Sequence, residues 1–151
     1  MNIERLKAIS LRIFLRVLSL GMLAAFVPWI TLILLKSPVL RPGGSLAPLL
    51  RFQPYNASYE SMLVAIHLVW AIMLWRTSNA PERHIVFLDF TIWANAAHGA
   101  VMIVATPLQK GALMTIAESV PLLLIAVALM WLRPKVGGRA SAVAWGRPVK
   151  K

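Results

Sequence analysis

Polar and apolar positions alternate along this chain in long blocks, and the apolar blocks set its architecture. The first, VLSLGMLAAFVPWITLILL, runs from Val17 to Leu35 without a charge. At ~1.5 Å of rise per residue, a helix of that length covers about 28 Å, close to the ~30 Å hydrocarbon core of a bilayer. Pro28 predicts a kink, which such helices tolerate where neighbouring groups take up the freed carbonyl. The second block, SMLVAIHLVWAIMLW (61–75), reaches spanning length only with Glu60 and the residues before it. The third, IVFLDFTIWANAAHGAVMIVAT (85–106), and the fourth, ALMTIAESVPLLLIAVALMWL (112–132), both carry ionisable side chains. Four helices are predicted, over about 12–35, 58–76, 85–106 and 111–132. The fold class is therefore all-α: an integral membrane four-helix bundle occupying residues 1–132, followed by a basic tail over 133–151.

Composition agrees with the pattern. Hydrophobic residues make up 59% of the 151 positions and charged residues 14%, against about 45–50% and 25% in soluble domains. The absence of cysteine excludes disulfides, thiolate catalysis and cysteine-ligated metals. A net charge of +11 would point to nucleic acid in a polar protein, but here the placement of the charges says more. With alternating spans, Arg5, Lys7, Arg12, Arg16, Arg76, Arg83 and the six bases of the tail share one side. Lys36, Arg41, Arg51 and Lys110 fall on the other. The positive-inside rule then puts both termini in the cytoplasm. The basic ends are expected to meet the bilayer and its anionic headgroups rather than nucleic acid. The first block exceeds the 7–15 residues of a signal-peptide core and no small-x-small site follows it, so it reads as a first span.

The connections complete the plan. SPVLRPGGSLAPLLRFQPYNAS (37–58) holds four prolines and enough apolar residues to fold onto the outer rim of the bundle. PLQKG (107–111) is a tight turn that makes the third and fourth helices antiparallel neighbours. The tail, RPKVGGRASAVAWGRPVKK, is expected to be mostly disordered. Asn56-Ala-Ser58 matches a glycosylation acceptor in the outer loop.

Ionisable groups inside apolar spans call for partners, because lipid solvates them poorly. Glu60 and His67 lie one heptad apart on the second helix, and Thr91, Asn95 and His98 share a face of the third. With Glu118 and Thr115 of the fourth, these place Glu60, His67, Asn95, His98 and Glu118 at similar depth in the outer half of the bundle. Asp89 falls on the opposite face from His98, near the depth of Arg12 and Arg16, and is expected to pair with one of them. The Glu-x-x-His pairs of dinuclear carboxylate sites are missing. The same cluster allows three readings: a polar network that holds helices in register, a proton-handling or quinone pocket walled by Trp70 and Trp93, or haem ligation by His67 and His98. No metal is specified, and the network needs no cofactor. Phosphate loops, nucleophile elbows and metalloprotease motifs are absent, so nothing in the sequence demands an enzyme.

The pattern YESM…IHLVWAIMLW…FTIWANAAHGAVM, with an acid heading the second span and a His-Gly step in the third, resembles small bacterial four-span membrane proteins grouped as a domain of unknown function. More loosely it is similar to the DoxX-like group. The resemblance implies a bacterial inner-membrane protein without established activity, and its DoxX-like side implies quinone-linked redox partners; it carries over only to Glu60 and His98. The expected function is that of a non-enzymatic accessory or small-molecule-binding membrane component. The alternative is a redox or proton-transfer protein, with quinone or haem, working through His67 and His98. Gly99 with Ala94, Ala96, Ala97 and Ala100 permits close helix contact within the chain, with a membrane protein partner or in a homo-oligomer.

Overall fold

The computed structural model describes residues 3–47, 56–105 and 112–134, the side chains of 105, 112–115 and 118 excepted. Four α-helices dominate them: α1 (Ile3–Leu34), α2 (Ala57–Asn79), α3 (Ile85–Ala105) and α4 (Ala112–Leu132). Three, namely α1, α2 and α3 as far as Val104, are long and apolar enough to cross a membrane, and Ser119–Leu132 adds a shorter apolar stretch. The fold is all-α among the described residues. Helix α1 begins ahead of the apolar block, so Arg5, Lys7 and Arg12 ride on the helix itself. Residues 48–55 of the first connection, with Phe52 and Tyr55, the 107–111 turn and the tail beyond Pro134 lie outside the described residues.

The chain divides into two compact units, Ile13–Asn79 on one hand and Met1–Arg12 with Ala80–Lys151 on the other. In the first, α1 and α2 run antiparallel. Arg16 Nε donates to Ser78 Oγ, Ser19 Oγ donates to the Ala71 carbonyl at 2.7 Å, and Phe26 stacks on His67, so rising positions on α1 meet falling ones on α2. The Ser19 bond is buried and ties one helix to the other's backbone. Ile33, Leu40 and Val64 form a core packed by Phe26, Trp29, Ile30 and Leu68.

Both helix ends here have an identifiable stop. Helix α1 closes in a Schellman motif: Ser37 N–H donates to Leu32 C=O and Lys36 N–H to Ile33 C=O. Lys36 sits at φ 51, where glycine is usual. A 3-10 turn over Pro38–Leu40 then drops Leu40 into the core, as the expected inward fold of this connection requires. Gly44 is pressed against that turn; an added Cβ would stand 2.5 Å from the Val39 carbonyl oxygen. Helix α2 opens on Asn56, whose Oδ1 accepts the Tyr59 N–H at 3.0 Å and so caps one of the orphan donors.

In the second unit α3 packs antiparallel on α4. Leu88, Thr91, Ile92, Asn95 and Gly99 make the buried stripe of α3, a spacing that follows the helical repeat. At Gly99 the helices close up: an added Cβ would lie 2.9 Å from the Leu123 side chain and 3.3 Å from the Ser119 carbonyl oxygen. The start of α1 belongs to this unit, with Lys7 Nζ 5.0 Å from the centroid of the Trp131 ring.

Two glycine-related substitutions test this packing. Gly99→Ala is expected to destabilise by about 1–3 kcal/mol, because α4 must shift to admit the methyl group. Lys36→Gly is expected to stabilise by about 1 kcal/mol by removing left-handed strain. Thermal unfolding of the purified variants reads both signs.

Candidate functional site

The residues singled out by sequence fall in both units. Glu60 and His67 belong to the first; Asn95, His98 and Glu118 belong to the second.

In the first unit Glu60 is 2% exposed in the first turn of α2, where the positive end of the helix favours a carboxylate. One heptad on, His67 is half-buried in a run of aromatic rings. Phe26 stacks on it at 4.6 Å between centroids, Trp29 stacks on Phe26 at 5.8 Å, and Trp70 lies tilted 6.0 Å from the imidazole. His67 Nδ1 is 2.8 Å from the Leu63 carbonyl oxygen. A carbonyl only accepts, so Nδ1 carries the proton, and in the neutral ring Nε2 keeps its lone pair. On the far side of Phe26, Trp29 Nε1 is buried with no acceptor among the described residues. The cluster thus offers an indole donor among ring faces.

The second unit treats its polar residues unequally. Thr91 and Asn95 are buried, and Asn95 Nδ2 donates to the Thr91 carbonyl at 2.8 Å. His98 shares the expected helical face yet is exposed. The stripe that packs on α4 is centred on Leu88, Asn95 and Gly99, and His98 falls at its margin. Ser119 Oγ on α4 is buried without a partner among the described residues. The Glu118 side chain lies outside them. Trp93, a proposed pocket wall, is 68% exposed.

The ion pairs differ from expectation. Asp89 binds Arg133, with Nη2 donating to Oδ2 at 2.6 Å and Nε facing Oδ1, and takes neither Arg12 nor Arg16. The reason is topological: Asp89 opens α3, Arg133 follows the end of α4, and antiparallel packing brings those ends together. Arg12 instead faces Glu82 at 3.7 Å. Arg16 donates to Ser78 Oγ and Asn79 Oδ1 and lies 5.7 Å from the Trp75 ring centroid. Ser19, Thr77, Ser78 and Ser119 are buried as well, and sequence reasoning passed over them. Their signal, small hydroxyl residues within apolar runs, was present. Among the described residues no three His, Asp or Glu side chains gather as metal ligands.

Fold and side chains together define a small all-α protein, compatible with a membrane, whose polar groups are turned into helix contacts. More specifically, the chain belongs to a family of unknown function (DUF6632), whose model matches residues 15–146. No curated protein and no solved structure matches it.

The two ion pairs should behave differently when cut. Asp89→Ala leaves a half-buried guanidinium without its bidentate partner, and is expected to cost about 1–3 kcal/mol. Arg12→Ala removes a long, exposed pair and is expected to cost less than about 0.5 kcal/mol. Denaturation midpoints of the two variants make the comparison.

Proposed function

We propose that this chain is an integral membrane protein whose four helices each cross the bilayer, with both termini in the cytoplasm. The observation that carries this reading is an inversion visible on α3. Trp93 and Val104 are 68% and 71% exposed, while Thr91 and Asn95 on the same helix are 0% and 7% exposed. A helix in water buries the opposite set. The charge asymmetry supports the orientation, and the sequence likeness to small bacterial four-span proteins supports an inner-membrane setting. Its looser DoxX-like side rests on that likeness alone.

Within the bilayer we assign the chain a non-enzymatic role, as an accessory component that binds a small molecule or a partner at the His67 cluster. Support comes from the Trp29 indole N–H without an acceptor among the described residues and from the ring faces of Phe26, His67 and Trp70, which suit a planar apolar ligand. A second reading, redox or proton transfer with quinone or haem, works through the His67 imidazole, a residue type that ligates haem and carries protons. His98 enters that reading as an exposed imidazole of α3.

Two measurements separate these readings. Since the chain has no cysteine, single cysteines placed at positions 2, 45, 80 and 150 give a background-free labelling test. Positions 2, 80 and 150 are expected to react from the cytoplasmic side and position 45 from the opposite side; uniform labelling would overturn the topology. An absorption spectrum of protein purified in mild detergent is expected to show no haem band. A Soret band lost in His67→Ala would replace the non-enzymatic reading with the redox one.

A further inference from the structure

A cavity of about 370 Å³ opens where the start of α1 meets the end of α4, both within the second unit. Its volume lies within the range of about 300–1,000 Å³ common to ligand sites. Glu4, Lys7, Met130, Trp131 and Arg133 line it. The wall is chemically divided. Lys7 rests its ammonium over the Trp131 ring. An ammonium has three donors, and a ring face engages them only weakly. Arg133 is held in place by Asp89 through Nε and Nη2, so its Nη1 is the end left for another acceptor. Asp89 offsets the charge of Arg133, whereas Lys7 shares the wall with Glu4 and points its ammonium at the Trp131 ring. Met130 and Trp131 add apolar surface beside these donors.

We propose that this cavity is a phosphodiester site, with Lys7 and Arg133 Nη1 donating to the non-bridging oxygens and Trp131 packing against the adjoining glycerol. Its occupant is the headgroup of an anionic phospholipid. Glu4 on the same wall disfavours a bare dianion, which matches a singly charged diester such as phosphatidylglycerol. The lipid source rests on the membrane reading above; the phosphate chemistry does not. The site is local and has defined donors, unlike the diffuse attraction of basic termini to a charged surface.

Native mass spectrometry of the detergent-purified protein, titrated with phosphatidylglycerol or phosphatidylcholine, tests it. One phosphatidylglycerol is expected to be retained in preference. Lys7→Gln is expected to bind it about tenfold more weakly, the loss of one charge-assisted bond. Lys7→Arg should restore most of that affinity, and Arg41→Gln, at the other end of α1, should leave it unchanged. Equal retention of the two lipids, or a Lys7→Gln variant that binds like the parent, would overturn the site. So would an Arg41→Gln loss matching that of Lys7→Gln. Glycerol 3-phosphate, a monoester dianion, that displaces the lipid at similar concentration would overturn the diester assignment and give the site to a soluble phosphate. Alkaline extraction of membranes is scored separately. Release of the parent chain would end the membrane reading and leave the glycerol 3-phosphate titration to decide the site.

Discussion

A helix that turns apolar side chains outward has to settle its polar groups on its own backbone or against another helix, and that requirement runs through the polar contacts described above. Ser19 gives its hydroxyl to the Ala71 carbonyl across the helix pair, Asn95 gives its amide to the Thr91 carbonyl of its own helix, and Asp89 takes the Arg133 guanidinium that follows α4. In water each of these bonds would exchange with solvent and contribute little net stability. At Ser19 and Asn95, which are buried, that exchange is shut out, and the Ser19 bond helps decide which helix faces meet. Hydrophobic burial adds less direction here, because one apolar neighbour resembles another.

That same requirement explains why the two units are built alike but finished differently. In the first, a serine and an arginine of α1 reach the far helix, and an aromatic run fills the other end around His67. In the second, a glycine lets α3 and α4 approach closely, and an ion pair closes the ends. Small residues bring backbones near; polar ones then set the register. Gly99 and Asp89 lie about three turns apart on α3, so the closest approach and the ion pair constrain opposite ends of one interface.

Much of the fold could be read from periodicity, because long apolar runs leave few alternatives to a helix. The helix positions and the antiparallel pairing of α3 with α4 follow from runs and turn residues alone. The ends were harder. Charges on Arg5 and Lys7 suggested a lead-in ahead of position 12, yet those residues are good helix formers and α1 extends to Ile3. Asn56 was noticed as a glycosylation acceptor, while its role as the cap of α2 depends on a single local bond. The site was less legible than the fold. A shared face predicted by spacing includes its margin, and His98 stands at that margin while Asn95 stands at the centre. Asp89 illustrates a different difficulty: depth alone offered Arg12 and Arg16, whereas the connection between α3 and α4 supplied Arg133.

The turn around Gly44 has an evolutionary corollary. A methyl group there meets two backbone carbonyl oxygens, which cannot swing aside as a side chain would, while Gly21 on α1 looks onto open space. Selection acting on the two positions is therefore unequal. Drift at 21 is cheap for the lineage, and a change at 44 survives only alongside a rebuilt loop.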